Sequence, residues 1–492
     1  NINSGEKFYF NEVKLVIPDG YNRENFTNID KILDKITNKS YSYNRIEKIL
    51  KQVENVALTE EYESINATVL EEIVSANKIN FTISIEELSK EYVERVNIMG
   101  NNITLESVIR NNLILDEGDA FNKILLNKSI NNLKALNFFK SISSNVVDGE
   151  EGKKIINIEV DEKPTGEISA GAGVGTSGGT VGFGVKENNF LGKGIEFSSD
   201  LDITAERVRG KLALINPNFR GSDRKLIAGA QSSETDRMTA FGYKTTKTGF
   251  NLGTRFEYYD DFYVGPSFTA YYESLKTSST ATSNMKKQEG SYFDTDFNYS
   301  LDYDKRNQKF QPTEGFRSRF DQSIPLISDT NAIMNGYEFN YYNELVNDMI
   351  ASFTIFGRAI NSVTGEDVRV SERLFMPQSK LRGFEAGKIG PVDNDDYLGG
   401  NYLSAINLAA TLPNAVPTLQ NADFSLFFDA GNIWGVDYDS TINDSNALRS
   451  SIGVAIDWYT PVGPLSFSYA EVLSKKSSDK IENFRFNLGT TF

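Results

Sequence analysis

After Pro164 the chain falls into segments of about 9 to 15 residues in which apolar and polar side chains alternate with period two, separated by turn residues. No other feature restricts the fold as much. In the clearest segment, Thr295, Phe297, Tyr299, Leu301 and Tyr303 fall on one face, and Asp294, Asp296, Asn298, Ser300, Asp302 and Asp304 on the other. So long a strand with an aromatic face and an acidic reverse suits lipid outside and a wet lumen inside. Nowhere does the chain offer the roughly 18 to 20 unbroken apolar residues that a spanning helix needs. The fold class is therefore an all-β transmembrane barrel, and a helical membrane protein is excluded.

Alternating segments can be drawn at 166–176, 179–188, 194–204, 207–216, 225–236, 243–258, 261–277, 291–307, 314–326, 335–347, 349–364, 399–413, 422–434, 448–461, 463–474 and 481–492. These make about 16 antiparallel strands, and an even number brings the closing strand back antiparallel to the first. Boundaries drawn this way shift by several residues, so fourteen or eighteen strands also fit. Residues 365–398 are left as one long loop, a length that is usually functional or disordered. The composition agrees: 33 Phe, 23 Tyr and 38 Gly accompany a mean hydropathy of -0.38, polar for a membrane protein unless only alternate residues face lipid.

The chain holds no Cys and no His, which removes disulfides, thiol chemistry, histidine-based nucleophile activation and the commonest zinc ligands together. A formal net charge of -16 argues against nucleic acid as a partner. No phosphate loop or paired catalytic carboxylate is apparent, so neither cofactor nor metal nor enzymatic activity is expected. Gly171, Gly173 and Gly175 sit within the first barrel strand and weaken it, with no nucleotide fingerprint around them. The chain opens on Asn1-Ile2-Asn3 without Met or a basic, apolar leader, which reads as a processed end or a boundary and says nothing against export.

Residues 7–88 and 91–163 can be laid over one another as one order of elements, strand, helix, helix, strand, strand, an internal repeat of about 75 to 80 residues that divides the first part into domains 1–88 and 89–163. In the second copy Tyr92 to Ile98 alternates as a strand, and a short helix covers Leu105 to Leu113. A longer helix from Asn122 to Leu136 carries Ile124, Leu125, Ile130, Leu133 and Leu136 near helical spacing, and strands follow at Lys140 to Val147 and Lys154 to Val160. The first copy runs from Phe8 to Ile17, through helices at Ile29 to Ile36 and Asn44 to Val56, to strands near Ala67 and from Ile79 to Ile85. With Val96 to Asn101 and its turn, Leu136-Asn137-Phe138-Phe139 and Val160-Asp161-Glu162-Lys163, this layout resembles the POTRA domain family. The resemblance implies periplasmic modules whose exposed strand edges receive extended chains.

Four local sequences narrow the barrel. Leu381-Arg382-Gly383-Phe384 lies in the long loop, where an arginine inside a lumen needs an anionic partner and glycine permits a tight turn. Asp429, in Phe428-Asp429-Ala430-Gly431, faces inward on its strand and is the natural partner of Arg382. Turn motifs follow at Asp304-Lys305-Arg306 with Pro312-Thr313-Glu314-Gly315, at Pro461-Val462-Gly463-Pro464, and at Asn189 to Gly194. Finally Phe484, Phe486, Leu488, Thr490 and Phe492 share one face, and the sequence stops on an aromatic.

In that order these sequences resemble the BamA family of outer-membrane protein assembly factors, whose relatives include two-partner secretion transporters and the translocation and assembly module. Five POTRA domains are typical of the family and there is room here for two, so the chain reads as N-terminally truncated. The resemblance implies that the 365–398 loop folds into the lumen, and that an acidic residue on the preceding strand joins the arginine, a place that reads here as Ala409. It implies a factor in a Gram-negative outer membrane that folds and inserts client barrels by strand pairing at a lateral seam. That seam would lie between Gly171, Gly173 and Gly175 of the first strand and Phe484, Phe486, Leu488 and Phe492 of the last. Unfolded outer-membrane protein clients, assembly-machinery lipoproteins, periplasmic chaperones and the lipid bilayer are the implied partners. Export of a polypeptide by a secretion or translocation-module transporter is the alternative, with a passive porin or a carboxylate-based hydrolase further off.

Overall fold

The computed structural model describes residues 9–18, 21–37, 46, 49–50, 52–53, 56, 65–75, 77–87, 91–222, 224–329, 331–345, 349–394, 396–413, 421–437, 442–460 and 463–491. The expected helix from Asn44 to Val56 lies largely outside them, and Phe8, Pro461 and Phe492 wholly so. The chain divides into two compact units, 1–165 with 191–193, and 166–190 with 194–492.

The first unit holds two three-stranded sheets. One is built from β1 (Tyr9–Val16), β2 (Ile65–Ser75) and β3 (Lys78–Glu87), with α1 (Thr27–Ile36) between β1 and β2 in sequence. The other uses β4 (Tyr92–Met99), β5 (Phe139–Asp148) and β6 (Lys153–Glu162), with α2 (Glu106–Arg110) and α3 (Lys123–Ala135). In both, the last strand lies in the middle, parallel to the first and antiparallel to the second. Each helix layer exists to cover one apolar sheet face. Ile29, Leu33 and Ile36, one stripe of α1, are buried with Phe10, Phe81 and Ile83. In the second sheet Ile156, Ile158 and Val160 alternate inward along β6 beneath Leu126, Ile130 and Leu133 of α3. Helical spacing pointed to Ile124, but Leu126 is the buried residue of the first turn and Ile124 is only half-buried. The helix begins only at Lys123, where the Asn122 side chain accepts the N–H groups of Ile124 and Leu125, and this sets the rotation of the stripe.

The second unit is a closed antiparallel barrel of sixteen strands among the described residues. Its first half is β7 (Gly166–Gly175), β8 (Gly178–Phe190), β9 (Ile195–Thr204), β10 (Arg207–Asn216), β11 (Lys225–Arg237), β12 (Tyr243–Tyr259), β13 (Phe262–Thr277) and β14 (Gly290–Asp304). Then come β15 (Gly315–Ser328), β16 (Ala332–Glu344) and β17 (Ile350–Ser362). The long loop that follows is not plain coil. It carries three two-residue strands, β18 (Gly383–Phe384), β19 (Val392–Asp393) and β20 (Asp396–Tyr397). The wall resumes with β21 (Tyr402–Pro413), β22 (Ala422–Trp434), β23 (Arg449–Thr460) and β24 (Gly463–Ser474). The expected last strand, 481–492, is two elements, β25 (Ile481–Glu482) and β26 (Phe484–Thr491). They separate at Asn483, whose carbonyl and side-chain amide both bond the backbone of Ala470, while β25 turns away to pair with β18. Two external helical turns, α4 (Met238–Phe241) and α5 (Ser283–Lys286), complete the elements.

The outward face confirms the lipid reading of the alternation. Phe268 packs at a tilt against Phe297, Tyr299 likewise against Phe320, and Tyr303 edge-on against Phe316, cross-strand aromatic pairs with ring centroids 5.3 to 6.0 Å apart. On the reverse of β14, Asp302 is buried and takes hydrogen bonds from Arg255 and Arg317 at 2.8 to 2.9 Å. No helix among the described residues is long and apolar enough to cross a membrane.

Candidate functional site

The chain from 363 to 401 is fastened to the inner wall by paired charges. Arg382 is the centre of one anchor. Its backbone N–H, Nε and Nη2 all donate to the Asp429 carboxylate, at 3.1, 2.7 and 2.8 Å, and its guanidinium lies 3.4 Å over the Phe427 ring. Asp429 is completely buried, so a charge there survives only because every oxygen is occupied. The fourth donor is Asn407, whose Nδ2 bonds both Asp429 and the carbonyl of Lys380. Ala409 does not stand beside this pair: the register sets Asn407 opposite Asp429 and Ala409 opposite Phe427, and Ala409 packs apolarly there. An amide, not a second acid, completes the site. Ser451 on β23 donates to the carbonyl of Arg382 at 2.6 Å. Gly383 adopts a φ of +91°, and a Cβ there would sit 3.1 Å from both Ala470 and Val472, so the loop can press against β24 only without a side chain. Leu381 and Phe384 are buried among Phe356, Leu403 and Ile433.

Three further anchors carried no sequence motif. Arg369, fully buried, pairs with Asp294 of β14 and with Glu372, and its guanidinium lies 4.3 Å from the Tyr292 ring centroid. Arg373 donates to Asp437 at 2.6 Å and to the Val368 carbonyl. Lys380 reaches Glu338 of β16 at 2.7 Å. The inward face of Asp294 was legible from the alternation of its strand, but the loop arginine it would meet was not. A separate buried pair, Arg449 with Asp479 at 2.9 Å, ties the start of β23 to the loop before β25. Among the described residues no group of three or more metal-type ligands could hold an ion.

Among the described residues the barrel closes between β7 and β26 over five pairs, from Asn487 opposite Gly175 to Thr491 opposite Gly171, whereas β7 and β8 pair over ten. Gly171, Gly173 and Gly175 face Thr491, Gly489 and Asn487, and Leu488 faces Val174. Phe484 and Phe486 are not in this ladder. They pair with Tyr469 and Phe467 of β24, because the first-strand ladder ends where β7 turns at Thr176. Among the described residues Gly166 to Ala170 pair only with β8, and Ile168 is 75% exposed.

At the β14–β15 turn, Arg306 holds Asp304 through Nε and Nη2 at 2.7 and 2.8 Å, and Asn307 accepts the N–H groups of Thr313 and Glu314. Gly315 closes it at φ +96°, where a Cβ would lie 2.1 Å from the Lys305 carbonyl oxygen. Pro312 precedes it beside Gln311, which crosses to Asp423 at 2.6 Å. Gly463 and Pro464 open β24 opposite Thr460 and Tyr459.

A closed sixteen-stranded barrel with a charge-anchored loop and small α+β sheets ahead of it defines an outer-membrane β-barrel of the kind that carries POTRA modules. A family model described as the Omp85 superfamily domain matches residues 189–492, and one described as POTRA, surface antigen variable number repeat, matches 91–163. The chain belongs to the Omp85 superfamily. It is 26% identical over 427 residues to the outer membrane protein assembly factor BamA of Neorickettsia risticii, covering 84% of this chain and 57% of that one. Among solved structures, BamA from Haemophilus ducreyi lacking POTRA domains 1–3 superposes with a TM-score of 0.76 at 20% identity, covering 99% of this chain and all of the other. CdiB from Acinetobacter baumannii shares the fold more distantly, with a TM-score of 0.52 at 11% identity over 100% and 91% of the two chains. The chain spans a little over half the length of the curated relatives it matches.

Proposed function

We propose that this chain is the working part of an outer-membrane protein assembly factor, and that client strands add at the seam between β7 and β26. The short seam carries the reading. Among the described residues five pairs close it, several of them at glycines that contribute no side-chain packing, and Gly166 to Ser169 of β7 lie beyond the last described pair. Opening it costs few hydrogen bonds, and an incoming strand would replace them by β-augmentation without a nucleotide. Unfolded barrel clients in a Gram-negative outer membrane are the substrates of this reading. The two small domains would lie in the periplasm, offering the edges of β2 and β5 to extended chains, with assembly lipoproteins and chaperones as partners. Export of a polypeptide through the lumen is disfavoured, since the loop is anchored there to β14, β16, β22 and β23. The test is Val174→Cys with Leu488→Cys, directly opposite across the seam. The oxidised protein should fail to insert a client barrel into liposomes and recover on reduction; full insertion with the seam locked would sink the proposal.

A further inference from the structure

The lumen loop meets the barrel at a place that none of its charged anchors explains. Gly383 and Phe384 form a two-residue antiparallel ladder with Ile481 and Glu482, the residues directly ahead of the closing strand. The contact continues through the Glu385 N–H to the Lys480 carbonyl and the Lys480 N–H to the Lys388 carbonyl, at 3.0 and 3.1 Å. The chain entering β26 is thus hydrogen-bonded to the loop, and it rejoins the wall only at Asn483.

From Glu482 the contacts run across the seam. Arg485 of β26 pairs with Glu482 at 3.1 Å and donates to the hydroxyls of Thr176 and Ser177, at 3.2 and 2.8 Å, in the turn that ends β7. The Ser177 hydroxyl in turn reaches the amide oxygen of Gln378, back in the loop, at 3.4 Å. The Thr176 N–H also bonds the Phe486 carbonyl. Loop, closing strand and first strand therefore form a ring of contacts around one end of the seam, with Arg485 touching both sides of the gap.

We propose that Arg485 and the Gly383–Phe384 ladder form a clasp, and that the seam opens from this end only when the loop lets go. Arg485 is then a positioning residue for client addition. It touches no client, but it sets whether β7 presents a closed or an open edge. The Arg382 anchor and the clasp are linked, because Arg382 is the neighbour of Gly383 and fixes the loop strand that holds Glu482. This inference rests on the seam being the working edge, yet its test needs no client and so fails or succeeds separately.

The measurement is backbone hydrogen exchange of Asn487 to Thr491 in the full chain in lipid nanodiscs, with amides of β11 and β12 as an internal reference. Under conditions where exchange follows the open population, Arg382→Ala and Arg485→Ala should each speed seam exchange about tenfold and leave the reference strands unchanged. The double variant should fall well short of the product of the two effects, since both break one ring. Unchanged seam exchange with a protease-sensitive loop in Arg382→Ala, or fully multiplicative effects, overturns the clasp. A second arm runs the other way. Phe384→Cys with Ile481→Cys fastens loop to strand on oxidation and should slow seam exchange about tenfold relative to the reduced form of the same protein. Equal exchange in the two redox forms overturns the proposal as well.

Discussion

Replacing Asp429 by Asn is the sharpest perturbation of the loop anchor, because it removes one charge and almost no volume. The buried carboxylate accepts four hydrogen bonds, three from Arg382 and one from Asn407. An asparagine has one acceptor oxygen, so it satisfies two of them at most and turns an NH2 group toward the remaining donors. Hydrogen bonds to a charged group contribute about 1.5 to 3 kcal/mol each, so losing two amounts to roughly 3 to 6 kcal/mol. Two features reduce this: the Arg382 side chain is 22% exposed and regains some water, and its stacking on Phe427 persists. The expected loss is therefore about 3 kcal/mol, near a hundredfold rise in the undocked population at about 1.4 kcal/mol per decade. The assay is hydrogen exchange of the backbone from Lys380 to Phe384, supported by the rate of limited proteolysis within the loop. Asn407→Ala, which removes one of the four hydrogen bonds to the carboxylate and the bond to the Lys380 carbonyl, should cost less, about 2 kcal/mol on the same scale. If Asp429→Asn changes loop protection by less than Asn407→Ala does, the occupied carboxylate is not what holds the loop, and the reasoning is refuted.

Other outcomes follow from the same geometry. Arg369→Met should leave Asp294 and Glu372 without the guanidinium they share and release the loop near Val368 by about 3 to 5 kcal/mol, read as local exchange and protease cleavage; an unchanged loop would show the pair to be incidental. Gly315→Ala forces a side chain into a φ of +96° against the Lys305 carbonyl, costing about 1 to 3 kcal/mol or more in barrel stability, measured as the temperature at which the folded band is lost in heat-modifiability gels. In the second small domain, partial burial pushes the Glu162 carboxyl upward, but the Thr104 hydroxyl and the N–H groups of Thr104, Ile103 and Asn102 outweigh it and hold the group below the usual range. A carboxyl depressed in the folded state stabilises fully above its unfolded value, about 4.3, and that stability disappears as pH falls through the folded value. Protection of the Asn102 to Thr104 amides should thus decline on acidification below about pH 4.3, and Glu162→Gln should show a low, pH-independent protection there.

Much of the fold was legible because a barrel strand writes its two environments into alternate residues. The segments 207–216, 422–434 and 463–474 match the observed strands end for end, and Asp294 to Asp304 divides into lipid and lumen faces as its side chains suggested. The repeat in the first 163 residues was legible for a similar reason, since each helix needs an apolar stripe and each small sheet one apolar face. Where the alternation ended, so did the local signal. The strands drawn at 335–347 and 399–413 lie at 332–344 and 402–413, because a strand end is set by where its neighbour's ladder stops.

The candidate site divides along the same line. Neighbouring residues alone were enough to place Arg382 beside a glycine in a long loop, to turn Asp429 inward and to make β7 rich in glycine. The folded barrel was needed to see that Asn407 and not Ala409 shares Asp429, that Arg369 reaches Asp294 some 75 residues away in sequence, and that β25 leaves the wall to pair with the loop. Those facts depend on strand register and on which parts of the wall the loop spans. Register is fixed by the sum of all sixteen ladders and the closure they must share, and no window of neighbouring residues contains that sum.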